Sequence, residues 1–243
     1  MIEIENLHKS FDEKQVLKGI DLKIDTGETI AIIGSSGCGK SVLIKHIVGL
    51  LSPDKGVVKV EDKDISTLGP NQLYQLRKKF GFLFQGSALF DSMTVEENVA
   101  LPLVENKSKI SEKDIENLVA EKLELVGLQG TQKLKPADLS GGMKKRAALA
   151  RALITVPEYI LYDEPTTGLD PIMSNNIDNL IKDLSEKLNV TSVVVTHDMY
   201  SVKKVASSVA MIYEGKIYFH GKPKELLNSK DKVIVDFIAR TCK

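Results

Sequence analysis

Short apolar runs alternate with helical patterns along most of the chain. Eight runs, several of them apolar throughout, have the composition of strands and end at Gly, Asp, Asn or Pro. They are MIEIENL, IDLKI, ETIAIIG, GVVKVED, FGFLFQ, EYILYDEP, TSVVVTHD and VAMIYEGKIYFHG. The helical patterns between them are KSVLIKHIVGLL, EKDIENLVAEKLELVGL, GGMKKRAALARALI, PIMSNNIDNLIKDLSEKLN and MYSVKKVASS. This alternation predicts an α/β fold around a mostly parallel sheet.

One stretch departs from this alternation. From residue 86 to residue 156 the pattern contains helices but no convincing strand, which predicts a helical insertion. We therefore expect a single domain over residues 1–243. Its core would be formed by 1–85 and 157–243, and its helical subdomain by 86–156.

The composition excludes several classes of protein. Hydrophobic residues make up 42% and charged residues 27% of the 243 residues, which is typical of a globular chain rather than a disordered or fibrous one. Lys plus Arg and Asp plus Glu are both 33, so no global field draws the chain onto nucleic acid. Two strongly charged segments, 105–117 and 221–232, are interpreted as solvated faces.

The termini and cysteines indicate a compartment. The N-terminus lacks a basic stretch followed by a long apolar core, and no run of about 18 apolar residues occurs. We therefore expect a chain that is neither exported nor membrane-spanning. Cys38 and Cys242 follow no metal-ligand spacing, and Cys38 lies in a glycine-rich loop where a disulfide would be awkward, so a reducing cytosol fits.

The segment GSSGCGKS, residues 34–41, fits the pattern G-x-x-x-x-G-K-[ST] between an apolar strand and a helix. Its glycines let successive backbone N–H groups face one anion, and the following helix adds its positive N-terminal end. Lys40 can then reach the β- and γ-phosphates of a nucleotide, and the Ser41 hydroxyl can bind Mg²⁺. A glycine-rich turn without a ligand would have Lys and Ser at these places only by accident.

Two acidic residues follow the apolar run EYILY. Asp163 ends this predicted strand, at the edge where open parallel sheets bind ligands, and we expect it to complete the Mg²⁺ shell through water. Glu164 points the other way if the strand remains extended, and it could then orient or deprotonate the attacking water. In isolation such a pair is more often a helix cap or a solvated turn, but the phosphate loop favours catalysis.

A second candidate anion site opens the helical segment LSGGMKKRAALARALI. Ser140, Gly141 and Gly142 offer a hydroxyl and unblocked N–H groups at the start of a helix. By local chemistry alone, an ordinary N-cap with flexible glycines is the commoner interpretation.

The phosphate loop, FLFQ, LSGGM, ILYDEPTTGLD and VVVTHD occur in this order over nearly the whole chain. This arrangement resembles the ATP-binding subunits of ABC transporters. The resemblance implies a P-loop NTPase fold with a RecA-like core, an N-terminal antiparallel β region and an inserted helical subdomain. It also implies Mg²⁺-dependent ATP hydrolysis by a head-to-tail homodimer, in which each ATP lies between one phosphate loop and the partner's signature motif, Leu139–Met143.

The resemblance implies roles for single residues. Gln85 matches the Q-loop glutamine that contacts Mg²⁺ or the attacking water, and His197 matches the switch histidine near the γ-phosphate. Phe11 matches the aromatic residue that stacks on adenine, although a strand-edge aromatic is the alternative, and Asp170 matches the D-loop aspartate at the dimer interface. The implied nucleotide contacts are Phe11, Gly34, Ser35, Ser36, Gly37, Cys38, Gly39, Lys40, Ser41, Val42, Ser140, Gly141, Gly142 and Asp170. Three other histidines are interpreted as surface residues: His8, His46 and His220.

Two motif residues depart from the common family pattern. Met143 replaces the usual signature glutamine, and TGLD replaces the frequent SALD. Neither difference removes a phosphate contact, so neither argues against ATP hydrolysis.

The segment FGFLFQGSALFDSMTVEENVALPL, residues 80–103, keeps apolar side chains beyond the end of a core strand. Together with LSGGMKKRAALARAL it resembles the ATPases of Mla-type phospholipid transporters, which work with a permease and an MCE-domain lipid-binding protein. The resemblance implies transport for outer-membrane lipid asymmetry, with the ATPase held on the cytoplasmic side of the inner membrane. The permease would dock near 86–104, and Ala88 to Val95 is interpreted as a docking surface, although some of these side chains must pack within the insertion.

Three alternatives remain. A P-loop GTPase would need Asn-Lys-x-Asp, and the segment NKSK at 106–109 lacks the Asp. A non-transport ABC ATPase shares every catalytic motif, but it needs no apolar docking groove, and work on DNA would favour a basic surface. A transporter of an amino acid or a metal ion would differ only in its cargo. The ATPase does not touch the cargo, so only the docking segment gives evidence on it.

Overall fold

Two β-sheets organise the chain in the computed structural model, which describes residues 1–105 and 110–241. The NKSK segment at 106–109 and Cys242 lie outside these residues. The described strands are β1 (Ile2–Phe11), β2 (Lys14–Ile24), β3 (Thr29–Ile33), β4 (Lys55–Val60), β5 (Lys63–Asp64), β6 (Phe80–Leu83), β7 (Tyr159–Asp163), β8 (Thr191–Val195), β9 (Ser208–Tyr213) and β10 (Lys216–Gly221). The described α-helices are α1 (Lys40–Ile47), α2 (Pro70–Arg77), α3 (Val95–Glu105), α4 (Glu112–Leu125), α5 (Gly141–Leu153), α6 (Pro171–Leu188), α7 (Met199–Val205), α8 (Pro223–Leu227) and α9 (Lys232–Thr241).

The larger sheet has the strand order β10-β9-β3-β8-β7-β6, and all of its neighbours except β10 and β9 pair in parallel. Every residue of β3 and β8 is buried, because helices cover both faces of these strands. Parallel neighbours need long crossover connections, which the helices supply. The predicted α/β fold is confirmed.

The smaller sheet is antiparallel, with the order β2-β1-β4-β5. Its buried side chains include Ile2, Leu7 and Ile24, and these share one cluster with Ile32 of β3 and Leu43 of α1. The two sheets are thus joined through one hydrophobic core. The N-terminal antiparallel region implied by the family resemblance is present.

Helices α3, α4 and α5 lie between β6 and β7, and the described residues of this stretch, 84–105 and 110–158, contain no strand. Their inner faces form a second buried cluster that includes Val99, Leu123 and Leu149. Val95 also belongs to this cluster and has no exposed surface. Val95 is therefore one of the side chains that were expected to pack within the insertion, and it takes no part in a docking surface, because α3 begins there and turns it inward.

Several elements were not indicated by the sequence pattern, namely α2, α3, α8 and α9. Pro102 lies inside α3, where it removes a backbone hydrogen bond, so the local pattern does not look helical. The segment 221–232, interpreted as a solvated face, contains the fully buried Leu226 of α8. The last predicted strand run is a hairpin, since Glu214 and Gly215 both have positive φ and form its turn.

His46 is a core residue. It is only 1% exposed, so its interpretation as a surface histidine is wrong. Its Nδ1 lies 2.8 Å from the carbonyl oxygen of Val42, one helical turn earlier on the inner face of α1. Burial lowers the pKa of the imidazole below its usual range, because the charged form would lose its hydration.

Asn98 is a fully buried polar residue that determines the shape of the loop before α3. Its Oδ1 accepts a hydrogen bond of 2.7 Å from the Phe90 backbone N–H. Its Nδ2 lies 3.1 Å from the carbonyl oxygen of Phe90, 3.3 Å from that of Met93 and 2.9 Å from that of Thr94. One side chain therefore holds both ends of the loop 90–94.

We expect Asn98→Ala to lower the free energy of unfolding by about 2–4 kcal/mol, because it takes away the acceptor of the Phe90 N–H and the side-chain donor to three loop carbonyls. Chemical denaturation measures this change. Val104→Ala is the matched control, since Val104 is 57% exposed on the same helix and its truncation should change stability by less than about 0.5 kcal/mol. Equal effects of the two variants would contradict the role assigned to Asn98.

Candidate functional site

A cavity of about 510 Å³ lies at the end of the larger sheet where β3 runs into the phosphate loop. It brings together half of the residues that the sequence singled out, although they are far apart in the chain. The predicted residues on its wall are Gly34, Ser35, Ser36, Gly37, Lys40, Ser41, Gln85, Glu164 and His197.

The phosphate loop has the conformation that an anion site requires. Gly34 has φ 151°, and a Cβ there would lie 2.5 Å from the carbonyl oxygen of Ile212, so only glycine fits. Gly37 has φ 76°, and its missing Cβ would face open space. Lys40 is 8% exposed and donates hydrogen bonds to the carbonyls of Gly34, at 2.8 Å, and Ser35, at 3.2 Å. The ammonium is thus held beside the loop by two neutral backbone carbonyls.

Ser41 and Asp163 form the candidate metal position. The Ser41 hydroxyl donates a hydrogen bond of 3.2 Å to Asp163 Oδ1. Burial raises the pKa of Asp163, while the Ser41 hydroxyl and the nearby lysines oppose that rise. A half-buried carboxylate beside a hydroxyl is a set of hard oxygen ligands, and a divalent cation would stabilise its charged form. The residues present therefore fit Mg²⁺.

Glu164 and His197 form an acid–imidazole pair. His197 Nδ1 lies 2.8 Å from Glu164 Oε2, and the Thr167 hydroxyl donates to the same oxygen at 3.2 Å. The Glu164 side chain is 13% exposed, whereas that of His197 is 56% exposed. The carboxylate is therefore held from two sides at the mouth of the cavity.

The direction of the Glu164 side chain has a different structural cause from the one predicted. Strand β7 ends at Asp163, and Glu164 has φ 49°, in the left-handed region, rather than continuing the strand. Its backbone N–H donates to the Val195 carbonyl at 2.8 Å. The expectation of an extended strand is wrong here. A left-handed turn, and not strand alternation, separates the two carboxylates.

Gln85 follows β6 and is exposed at the cavity wall. The next loop residues, Ser87 and Ala88, have φ of 62° and 49°. Arg151 of α5 donates to both of their carbonyls, at 2.9 Å and 2.6 Å. Lys145 of the same helix donates to the Gln85 carbonyl and, at 3.4 Å, to that of Glu164.

The roles of Lys145 and Arg151, two of the four basic residues of α5, were missed at the sequence level. Gly142, Lys145 and Leu149 are all buried, at helical spacing on one face. A lysine at a buried position of the helix could have indicated the role of Lys145. The same sequence, however, also fits a run of exposed basic residues.

Helix α9 was also missed, and it completes one wall of the cavity. Its buried side chains Ile234 and Phe237 anchor it to the core. The amphipathic segment KVIVDFIART was the signal in the sequence. The wall residues beyond those predicted are Met211, Tyr213, Val233, Asp236, Phe237, Arg240 and Thr241.

Other predicted residues lie outside the cavity wall. Phe11 is 42% exposed at the end of β1, with Lys9 Nζ 5.7 Å from its ring centroid. Ser140 caps α5 by accepting a hydrogen bond of 3.3 Å from the Met143 N–H. Asp170 caps α6 through its Oδ1. The remaining predicted residues that the cavity wall lacks are Cys38, Gly39, Val42, Gly141, Gly142 and Asp163, the last of which contacts the wall residue Ser41.

Cys38 is a free thiol within the phosphate loop. Burial raises its pKa, although the nearby Lys40 ammonium opposes the rise. The thiol is therefore protonated at neutral pH and acts as a small apolar side chain.

Comparison with known proteins decides the family. A family model described as ABC transporter matches residues 17–167. The chain belongs to the ABC transporter family. It is an ATP-hydrolysing ABC ATPase, and its fold is the P-loop NTPase fold that the resemblance implied. No helix within the described residues is long and apolar enough to cross a membrane.

This ABC ATPase is similar to several named proteins. It is 41% identical to the intermembrane phospholipid transport system ATP-binding protein MlaF of Haemophilus influenzae, over 98% of this chain and 90% of that protein. It is 40% identical to the probable ribonucleotide transport ATP-binding protein mkl of Mycobacterium leprae, over 98% of this chain and 68% of that protein. A solved structure of the ATP-binding cassette MJ0796, a dimer in a post-hydrolysis state bound to ADP and Pi, matches with a TM-score of 0.84. That match has 33% identity and covers 92% of this chain and 99% of the other.

We expect Lys40→Ala to weaken ATP binding at least about tenfold, because it removes the charge that the loop holds beside the phosphate position. Isothermal titration calorimetry with ATP measures the change. Lys113→Ala is the control, since Lys113 is exposed on α4 and lies outside the cavity wall. Unchanged affinity in Lys40→Ala would remove Lys40 from the nucleotide site.

Proposed function

We propose that this ABC ATPase powers phospholipid transport between membranes, together with a separate permease and an MCE-domain lipid-binding protein. Similarity to MlaF over nearly the full length of both chains supports the lipid cargo. The complex would hold the ATPase at the cytoplasmic side of the inner membrane, peripherally through the permease. The observation that carries the proposal is an apolar groove beside Gln85.

The groove has a volume of about 550 Å³ and is lined by Phe82 and Phe84 of the β6 segment, Phe90 of the following loop, and Leu101 and Pro102 of α3. Phe84 is 41% and Phe90 51% exposed. Neighbouring exposed aromatic side chains in one concave surface are typical of a partner site. An amphipathic helix of a permease fits such a groove through its apolar face.

The docking surface is thus narrower than the sequence suggested. Ala88 and Phe90 line the groove, whereas Met93 is half-buried outside it and Val95 is in the core. We place the permease contact on Phe84, Ala88 and Phe90. The proposed helical subdomain, 86–156, would then move with the docked permease.

The phosphate end of ATP would bind in the cavity. Phosphate-loop N–H groups and Lys40 would hold the β- and γ-phosphates, while Ser41, Asp163 and Gln85 would hold Mg²⁺. When bound, Mg²⁺ neutralises charge on the phosphate oxygens. In the proposed reaction, Glu164 orients the attacking water and accepts its proton, because its carboxylate is fixed at the cavity mouth.

His197 would orient Glu164 and contact the γ-phosphate. Its Nδ1 is directed at the Glu164 carboxylate, which leaves Nε2 of the exposed ring available for a contact with the γ-phosphate. Phe11 is proposed to stack on adenine, as the family resemblance implies. Its exposed ring leaves a face available for that contact.

Two copies are proposed to join head to tail around ATP. Ser140 and Asp170 lie outside the cavity of their own chain, so they are available to the partner's nucleotide. Exposed Ile172 (73%) and Tyr200 (62%) line a second cavity that adjoins His197. Such an apolar face beside the site is suited to burial in a dimer. The ATP-binding cassette MJ0796 was solved as a dimer.

A different cargo is the second candidate. The name of the similar mkl protein refers to ribonucleotide transport. The groove fits a permease for any cargo, so only transport measurements can distinguish a phospholipid from a ribonucleotide cargo. A non-transport ABC ATPase is disfavoured, because it has no use for an exposed aromatic groove beside the Q-loop.

We expect Glu164→Gln to retain ATP affinity and to lower kcat by about 100- to 1000-fold, because the amide cannot accept the proton. ATP hydrolysis and calorimetry are measured on the same preparation. Glu158→Gln is the control, since Glu158 lies just before β7 with a side chain that is 56% exposed. A wild-type rate in Glu164→Gln would show that another group is the base.

We expect Phe90→Asp to prevent ATP-dependent transfer of labelled phospholipid by the complex reconstituted in phospholipid vesicles, because the carboxylate cannot enter an apolar contact. Pull-down of the permease should fail, while basal ATP affinity is unchanged. Leu50→Asp, which changes an exposed apolar residue outside the groove, should transfer normally. Intact pull-down by Phe90→Asp would contradict the docking site. Absence of phospholipid transfer by the wild-type complex would contradict the lipid cargo.

A further inference from the structure

Lys145 is a buried cation near the catalytic residues. It lies on α5, and only 4% of its surface is exposed. Burial lowers its pKa, while the nearby carboxylates of Asp163 and Glu164 favour the charged form. Burying a lysine costs several kcal/mol unless its donors are satisfied. A methionine of similar length would fill this space without that cost, so stability alone does not explain a lysine here.

The hydrogen bonds of Lys145 bridge two catalytic segments. Its Nζ donates to the backbone carbonyl of Gln85, after β6, and to that of Glu164, after β7. These strands are parallel neighbours, with Leu83 paired to Tyr162, so their ends lie side by side. Lys145 reaches both ends from a third element. It therefore ties the segments that carry the proposed water-orienting glutamine and the proposed base.

Helix α5 holds the Q-loop at two points. Lys145 binds it at Gln85, and Arg151 binds it at Ser87 and Ala88. Ser87 and Ala88 are left-handed, at a cost of about 1–2 kcal/mol each. Hydrogen bonds from the helix offset this cost. The Gln85 side chain itself remains on the cavity wall.

We propose that Lys145 is a positioning residue for ATP hydrolysis: it holds the backbones of Gln85 and Glu164 at a fixed separation and in register with the signature helix α5. Lys145 is not part of the wall of the cavity in which the phosphate end of ATP is proposed to bind. It acts through Gln85 and Glu164. A displacement of α5 therefore changes the relative position of these two side chains, which links hydrolysis to the position of the signature motif.

If Lys145 only attached α5 to the sheet, its loss would have different effects on stability and kinetics from those of losing a positioning residue. Loss of such a tie would disturb stability, ATP binding and turnover together. Loss of a positioning residue lowers kcat with little change in KM, because the ground-state contacts to ATP remain. A residue that can donate to both carbonyls should then restore the rate.

The test is steady-state ATP hydrolysis by Lys145→Met in the full-length protein. We expect kcat to fall at least about tenfold while KM for ATP stays within about twofold. Lys145→Arg should recover kcat to within about threefold of wild type, since a guanidinium can donate to both carbonyls. Lys144→Met is the matched control, because Lys144 is the preceding residue and only partly buried, and it should leave kcat unchanged.

Hydrogen exchange gives a second measurement. The Ser87 N–H donates to the Phe84 carbonyl at 2.9 Å, and its exchange should accelerate in Lys145→Met but not in Lys144→Met. If Lys145→Met does not fold, Lys145→Gln retains one donor group, and its kcat should fall below that of Lys145→Arg. Wild-type kcat in the Met or Gln variant overturns the proposal. Failure of Arg to restore kcat overturns it, as does a parallel loss of kcat and ATP affinity.

Discussion

Parallel hydrogen bonding among β3, β8, β7 and β6 is the constraint on which the site depends. Parallel strands end at one edge of a sheet, and here the registers bring Ile32, Val195, Asp163 and Leu83 to that edge. The phosphate loop, the turn that carries His197, the turn that carries Glu164 and the loop that carries Gln85 each follow one of these strands. Residues separated by up to about two thirds of the chain therefore meet at one cavity.

Backbone strain is concentrated at this edge. Glu164, Ser87 and Ala88 all adopt left-handed conformations that non-glycine residues avoid. Each is held by a bond from another element: Glu164 by the Val195 carbonyl, and the two loop residues by Arg151. The conformations persist because tertiary contacts offset their cost, and they direct the Glu164 carboxylate and the Gln85 loop toward the cavity.

The proposed docking groove and the cavity share one segment. Gln85 lines the cavity, whereas its neighbour Phe84 and the nearby Phe90 line the groove. Arg151 is part of the groove and also clamps the Q-loop. Together with Lys145, it attaches that loop to the helix that begins with the signature motif. A partner in the groove would thus contact the segment whose hydrogen bonds hold the Gln85 loop on α5.

The sequence by itself determined the phosphate loop, the α/β alternation and the acidic pair, because each depends on the spacing of near neighbours. It did not determine which way Glu164 turns, because a bond to β8 decides that, nor that His46 and Val95 are buried. The burial of Lys145 and the packing of α9 could not be predicted either, because their sequences also suit an exposed helix. Burial and hydrogen-bond partners come from contacts between distant segments, and only the tertiary structure brings those segments together.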